Sequence, residues 1–568
     1  MKVLHNHLGY QCHARKKALV QTGASNSTEL TEAAFSVIDT ENRSTVFRGK
    51  LTALGSVEQW RDWQFFEADF SAFEQCGKFI VLIDEISPPV CSQPFNIAPV
   101  IYDGQHISDL VHYFKSQRCG GKFDKADYAR PKLGSEQQVD VHGGWYDASG
   151  DASKYLSHLS YANFMNPQQT PQVVWNLLDG HARMPKQSSW LEDRMIDEAL
   201  HGADFLMRML DADGYFYMTV FDRWSKDINQ RDICSYTTQQ GHKFASYQSA
   251  YRQGAGSAIA ALARASQLES DGCFSRAAYL AAAERAFDNL EINNICYLDD
   301  GKENIIDDYC ALLAASELFA ASGKIKFSLA ADKRASNLIQ RQSSAGWLWA
   351  NDEKTRSYFH AAEAGLPYIA LMRWMEVKPA SPLFDACVNC IRAGLQHDIA
   401  ISVHDVANPF RYPRQHIAMP GISSKNQFFI PHENESGYWW QGENARLGSL
   451  ASAAQWATTY LADDAKLCLA LEQYASDCLH WIFGFNPFDA CMMQGIGHNN
   501  PQYETGYWNA PGGVCNGITS GQMNEEDIDF RMPDASEPLH SWRWSEQWIP
   551  HGAWLFHALA HQLKKESA

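Results

Sequence analysis

The stretch Gly143–Tyr155, GGWYDASGDASKY, decides how this chain is read. It places two carboxylates, Asp147 and Asp151, beside the aromatics Trp145 and Tyr146 on a glycine-flanked turn. Paired carboxylates next to sugar-stacking rings point to glycoside hydrolysis. In that chemistry one carboxylate activates a water while a protonated carboxyl from elsewhere delivers a proton to the leaving oxygen. Glu546, in the segment Arg543–Trp554, RWSEQWIPHGAW, is the distant acid that this reading requires. Each feature has a plainer use: a short D-x-x-x-D turn also serves as a solvated loop or a calcium-ligand pair. Ser-Glu before an apolar run is also a helix-start signal.

The segment GGWYDASGD resembles the GGWYDAGD signature of glycoside hydrolase family 9, inverting enzymes best known as cellulases. The resemblance implies that Asp151 is the general base, that Asp147 helps hold the attacking water, and that Glu546 is the general acid. Ser149 is an insertion that widens the aspartate spacing by one, and Ser545 stands where the family usually has Asn. Inversion would set the base and acid carboxyls ~6.5–9.5 Å apart, with room for the water. Trp542, Trp544 and Trp548 would supply the desolvation that raises the pKa of an acid at Glu546.

A chain of 568 residues exceeds one ordinary core, and 45% hydrophobic with 20% charged residues is globular usage. The net charge of −18 disfavours nucleic-acid and anionic-membrane partners. The opening MKVLHNHLGY has neither a basic nor an apolar leader segment, and no run of about 18 apolar residues occurs. Fourteen Cys are scattered along the chain without a compact Cys-dense module, which fits reduced thiols; Cys119 and Cys310 read as buried small hydrophobes. A cytoplasmic location is the expectation.

Residues 1–100 read as strands. Phe35–Asp39 (FSVID) alternates apolar and polar residues, and Gly77–Asp84 (GKFIVLID) puts Phe79, Val81 and Ile83 on one face. Short strands punctuated by turns predict an immunoglobulin-like β-sandwich. Family resemblance extends here too, through Asn6–Tyr10 (NHLGY) and the segment QPFNIAP, and implies a module that braces the catalytic domain. From 101 to 568 the pattern is helical: Tyr279, Ala283, Ala286 and Leu290 recur at helix spacing, and about a dozen such segments follow one another. The resemblance implies the form these helices take, an (α/α)6 barrel with its cleft at one end.

The long loops 400–440 and 486–545 exceed ordinary connections. Within Glu433–Arg446 (ENESGYWWQGENAR), Trp439 and Trp440 precede Glu443, Asn444 and Arg446, a mixture of aromatic and charged groups typical of carbohydrate clefts. Trp145, Tyr146, Glu435, Trp439, Trp440, Glu443, Asn444 and Arg446 are therefore the candidate substrate-binding residues. Buried tryptophans with Glu443 as a helix first-turn charge are the alternative. The segment after Asn486–Pro487 resembles the family's chain-gripping region, but Gln502, Tyr503 and Glu504 replace its His-Arg pair, which argues against endo action on a polymer.

The sequence thus predicts an inverting hydrolase that removes terminal units from short β-linked oligosaccharides. Resemblance to the family's exo-β-glucosaminidase members, which lack an export signal, puts exo-β-D-glucosaminidase action on a glucosamine disaccharide first, with Glu433, Glu435, Glu443 and Glu504 available to a cationic 2-amino group. A β-glucosidase, cellodextrinase or endoglucanase is the alternative, followed by a disaccharide phosphorylase and a sugar-binding protein without activity. No cofactor is required for the hydrolysis, and a structural calcium or zinc is left open.

Overall fold

The computed structural model describes residues 1–24, 30–31, 33–238, 240–437, 440–503, 509–531 and 541–567. The first ten strands are β1 (Lys2–Leu4), β2 (Tyr10–Gln11), β3 (Lys17–Gly23), β4 (Ala34–Asp39), β5 (Thr45–Lys50), β6 (Thr52–Gly55), β7 (Trp63–Asp69), β8 (Gly77–Ile83), β9 (Val90–Cys91) and β10 (Phe95–Ala98). They form two sheets, β1-β3-β7-β6 and β2-β10-β8-β4-β5, with β9 paired to β8. In β8 the inward residues Phe79, Val81 and Ile83 are fully buried, as the period-two pattern requires, and they pack with Val20, Phe66 and Phe95 between the sheets. Alternation is incomplete in β4, where Ser36 is buried along with Phe35 and Val37. That strand is flanked by β8 and β5.

Helices follow from Gly104: α1 (Gly104–Gln117), α2 (Gly121–Asp127), α3 (Thr170–Arg183), α4 (Ser189–Arg208), α5 (Ala255–Ala265), α6 (Arg276–Tyr297), α7 (Ile305–Ser322), α8 (Ile325–Gln340), α9 (Leu366–Val377), α10 (Phe384–Val403), α11 (Asn444–Ala457), α12 (Ala465–Ile482), α13 (Trp542–Ser545) and α14 (Ile549–Ser567). Among the described residues α3, α5, α7, α9, α11 and α14 close a ring by successive packing, and α1, α4, α6, α8, α10 and α12 lie outside it. This is an (α/α)6 barrel. Burial separates the layers: α5 is buried almost all round, whereas α6 buries one stripe that includes Tyr279, Ala283, Ala286 and Leu290. Small residues let the inner helices approach closely. A Cβ on Gly256 of α5 would lie 2.7 Å from the Cys310 Cβ of α7.

The two ends of the ring differ. At the C-terminal ends of the inner helices a buried ionic network closes the barrel: Arg264 bridges Asp179 and Glu317 at 2.9 Å each, and Arg373 pairs with Glu317 at 2.9 Å. The loops entering the N-terminal ends carry the site below. The sandwich leans on the barrel through one shared apolar cluster, in which Trp60 packs at a tilt against Phe428 and Trp481. His7 N–H donates to the Phe483 carbonyl at 2.9 Å, and Lys17 Nζ to that of Pro409 at 2.8 Å. No helix among the described residues is long and apolar enough to cross a membrane.

Candidate active site

The Gly143–Tyr155 loop is pegged at its start by Trp145. That indole is fully buried, and its Nε1–H donates to Glu198 Oε1 on α4 at 2.6 Å. Arg118 grips the same carboxylate from the end of α1 at 2.8 to 3.1 Å. Gly144 precedes it at φ +73°, where a Cβ would sit 2.8 Å from the Phe205 ring. Beyond the peg the chain folds back on itself, with Asp151 N–H donating to the Ala148 carbonyl at 3.2 Å.

Asp147 and Asp151 are both buried, yet they are served very differently. Asp151 accepts three hydrogen bonds: from Ser153 N–H at 2.8 Å, from the Tyr155 hydroxyl at 2.8 Å, and from Trp224 Nε1–H at 3.2 Å. Asp147 accepts one, from Trp548 Nε1–H to Oδ2 at 3.1 Å, and its buried Oδ1 has no partner among the described residues. Burial pushes the Asp147 carboxyl well above the usual range, the charges of Asp151 and Glu546 push it further, and Trp548 opposes them. Burial raises Asp151 too, opposed by the bonds from Ser153 and Tyr155. His158 Nδ1 lies 3.5 Å from Asp147 Oδ2, and burial lowers its pKa to about 3, so the ring is neutral. One ligating atom from each of Asp147, Asp151 and His158 falls within 4.8 Å of the other two.

Glu546 arrives from the other end of the chain. It follows α13 in extended conformation, and its carbonyl accepts from Asn516 N–H at 2.8 Å. The next residues are stitched to the aspartate loop: Ser149 N–H donates to the Gln547 carbonyl at 2.9 Å, and Ile549 N–H to the Asp147 carbonyl at 3.1 Å. The Glu546 carboxyl lies directly over Gly150, where a Cβ would meet Glu546 Oε1 at 2.5 Å and the Tyr503 hydroxyl at 3.1 Å. The buried Asp147 and Asp151 and the half-buried Glu546 thus share one corner at the mouth of the ring.

The structure buries most of the candidate sugar contacts. Trp145 is a core peg. Trp440, 3% exposed, donates Nε1–H to the Ser520 carbonyl at 3.0 Å beneath the Arg543 guanidinium. Glu443 and Arg446, buried, pair at 2.6 Å; Glu443 also takes Ile430 N–H at 3.0 Å, and Arg446 donates to the Pro413 carbonyl at 3.0 Å. Asn444, also buried, donates to the Cys515 carbonyl at 2.8 Å. These four hold loops together because their polar atoms are consumed inside the fold. Glu435 keeps part of its surface but is held by Arg356 at 2.5 Å. Tyr146 is half-buried, with its hydroxyl donating to the Gly120 carbonyl at 3.0 Å. Trp439 and Glu504 lie outside the described residues. Cys119 and Cys310 are buried, as the sequence predicts.

His158, Trp224 and Tyr236, which the sequence reading missed, line the aspartates. In the sheet formed by β13 (Lys154–Tyr155), β14 (Thr219–Phe221), β15 (Asp232–Thr237) and β16 (His242–Phe244), Tyr236 lies on β15, and Trp224 lies in the turn that follows β14. The Tyr236 ring meets those of Tyr155 at 5.8 Å and His158 at 6.1 Å. The one local signal was the pair Tyr155 and His158, just beyond the motif.

Two further clusters have metal-ligand composition, and hydrogen bonding accounts for both. His7 Nδ1 accepts His498 N–H at 3.3 Å, which leaves Nε2–H to donate to Asp489 at 3.1 Å. Asp179, beside His557 and His561, is already neutralised by Arg183 and Arg264.

Comparison with known proteins fits this architecture. Glycosyl hydrolase family 9 matches residues 104–509, and the cellulase N-terminal ig-like domain matches residues 1–87. The chain belongs to glycosyl hydrolase family 9, whose catalysis needs no cofactor. A cellodextrinase from Butyrivibrio fibrisolvens is 30% identical over 234 residues, 38% of this chain and 38% of that protein, so the match spans about two fifths of the curated relative. Among solved structures, a metagenome-derived family 9 endoglucanase superposes with a TM-score of 0.69 at 17% identity, covering 99% of both chains. A Bacteroides ovatus family 9 protein gives 0.65 at 17% identity, again over 99% of both. A Zn-binding triple mutant of another family 9 endoglucanase gives 0.64 at 19%, over 97% of this chain and 99% of that one.

Proposed function

We propose that this chain is an inverting glycoside hydrolase that removes terminal units from short β-linked oligosaccharides. Asp151 serves as general base, Asp147 as its partner on the attacking water and Glu546 as general acid. The observation that carries this reading is the convergence of three carboxyls from positions 147, 151 and 546 in one corner lined by His158, Trp224 and Trp548. Asp147 Oδ1 is the carboxylate oxygen of the pair without a partner, which suits it to hold the water. Asp151 is oriented by its three donors. Residues 1–100 act as a brace for a catalytic unit of residues 101–568.

For the substrate we favour a glucosamine disaccharide. Asp222 is fully buried beside Asp151, whose charge adds to burial in raising its pKa, and its Oδ2 has no partner among the described residues. With Asp151 and Asp147 it makes a carboxyl-rich cluster, and a sugar ammonium bound beside Asp151 would relieve the repulsion. The acids named from sequence contribute less, since Glu435 and Glu443 are each taken up by an arginine. Cleavage of cellodextrins is the second reading, favoured by the cellodextrinase relative. A cytoplasmic site of action belongs to the proposal and is supported by fourteen unpaired cysteines.

The test is to incubate the protein with cellobiose, chitobiose and the glucosamine dimer while following products and their anomeric form by proton NMR. Release of α-configured glucosamine from the β-linked dimer is the expected result. Cleavage of cellobiose alone would select the second reading, β-configured product would overturn inversion, and a requirement for phosphate would replace hydrolysis with phosphorolysis.

A further inference from the structure

Cys12 and Cys76 face each other at the edge of the N-terminal sandwich, with their Sγ atoms 2.8 Å apart. The strand register brings them there. Ile97 of β10 lies opposite Tyr10 of β2 on one side and opposite Gly77 of β8 on the other. Cys12, two residues past Tyr10, and Cys76, one before Gly77, therefore come level just beyond the end of β10. The sulfurs are closer than unbonded sulfurs normally rest, though short of the ~2.05 Å of a disulfide. Their environments are complementary: Cys76 is exposed and Cys12 is buried. Lys16 holds its ammonium beside Cys12 by donating to the Cys12 carbonyl at 2.6 Å and the Ala14 carbonyl at 2.9 Å.

We propose that Cys12 and Cys76 are a reversible thiol pair that closes to a disulfide when the protein meets a small-molecule disulfide such as oxidised glutathione. Cys76, the accessible member, attacks first as thiolate: a Cys76–glutathione bond forms, the glutathione disulfide breaks, and one glutathione thiolate leaves. Cys12 then loses its proton to solvent and attacks Cys76 Sγ, expelling the second glutathione. Two protein thiols are oxidised and one small disulfide is reduced to two thiols, so the electrons balance. Burial and then the bond to Cys76 push the Cys12 thiol up to about 11, with Lys16 pulling the other way, so the second step quickens as pH rises. The bond would close a loop between positions 64 apart that contains β3 to β7, and would constrain the unfolded sandwich accordingly.

The experiment uses the full chain, purified reduced and then exposed to excess oxidised glutathione. Proteolytic mapping by mass spectrometry should find a Cys12 peptide linked to a Cys76 peptide, reversible with dithiothreitol, and the melting temperature should rise by about 3 °C or more. Cys76→Ser, at an exposed position, should lose both the link and the rise. If glutathione adducts formed on Cys76 and on the exposed Cys91, Cys273 and Cys296 with no 12–76 link, the proposal would be overturned. An equal rise in melting temperature in Cys76→Ser would remove the stabilising role.

Discussion

Ser149 and Gln547 hold each other by two reciprocal hydrogen bonds: Ser149 N–H donates to the Gln547 carbonyl at 2.9 Å, and Gln547 N–H donates to Ser149 Oγ at 3.0 Å. Ser149 is the residue that widens the aspartate spacing, and Gln547 follows Glu546. The insertion thus splices the loop of the proposed base and water-holder to the segment of the proposed acid. Ser149 Oγ also donates to Asn509 Oδ1 at 3.3 Å, which draws in a third strand of chain.

Ser149→Ala keeps the backbone half of this splice and loses the hydroxyl half. The expected outcome is a roughly 3- to 10-fold drop in kcat with KM nearly unchanged, because what is lost is the aim of the carboxyls and not sugar contact. Steady-state kinetics on the best disaccharide checks it, and unaltered kcat would mean that the hydroxyl has no part in that aim.

Gly150 offers a steric test of the acid's position. Alanine there is compatible with the backbone, since φ is not in the left-handed region, but its Cβ would meet Glu546 Oε1 at 2.5 Å. Gly150→Ala should fold with a near-native melting temperature and lose at least about 100-fold in turnover of natural disaccharides, because a displaced acid no longer reaches the leaving oxygen. Near-native turnover would place the working acid elsewhere.

Glu363, fully buried ahead of α9, couples stability to pH. Burial raises its carboxyl to about 8, against the Tyr309 hydroxyl and Gln168 N–H that hydrogen-bond to it. A raised folded-state pKa means that the native state holds the proton more tightly than the unfolded chain does. Its contribution is therefore fully present below the unfolded value of 4.5 and is lost as pH rises through about 8. Glu363→Gln mimics the protonated form. Relative to this variant, wild type should lose on the order of 2–4 kcal/mol between pH 5 and pH 8.5 in urea unfolding. Parallel profiles would show that Glu363 titrates normally.

The two aspartates should separate under amide substitution. Asp151→Asn should abolish turnover while fold and sugar binding persist, because the amide cannot accept the water's proton. Asp147→Asn should retain a measurable fraction. Single-turnover assays with a binding control decide between them: a dead Asp147→Asn beside an active Asp151→Asn reverses the roles.

How much of this was legible follows from how far each signal reaches along the chain. The helices were, since Tyr279, Ala283, Ala286 and Leu290 mark a helix face from within one segment, while their closure into a barrel was implied by the family resemblance. So was the Asp147/Asp151 motif, which is contiguous. Trp224 and Tyr236 were not, because they reach the site through pairing of β13, β14 and β15 across some 80 residues, and no local periodicity encodes such pairing. Glu443 and Arg446 are ambiguous in the opposite way. Charged residues beside tryptophans look the same in sequence whether they face a ligand or, as here, satisfy one another inside the fold.

The sharpest test concerns Glu546. Its carboxyl lies over Gly150, close enough to Asp147 for their charges to interact, which is where a proton donor to a sugar held at the aspartates would stand. Glu546→Gln removes that proton. Natural disaccharides, whose alcohol leaving groups depart poorly, should slow by about 1,000-fold or more, whereas aryl glycosides with an activated phenol need little protonation and should slow far less. Comparing kcat/KM for the two substrate types isolates acid catalysis from packing, since a merely structural glutamate would depress both alike. Equal impairment of both, or of neither, would return Glu546 to a structural role. Tyr503, whose hydroxyl shares the space over Gly150, would then be the next proton donor to replace, by Tyr503→Phe, under the same two-substrate comparison.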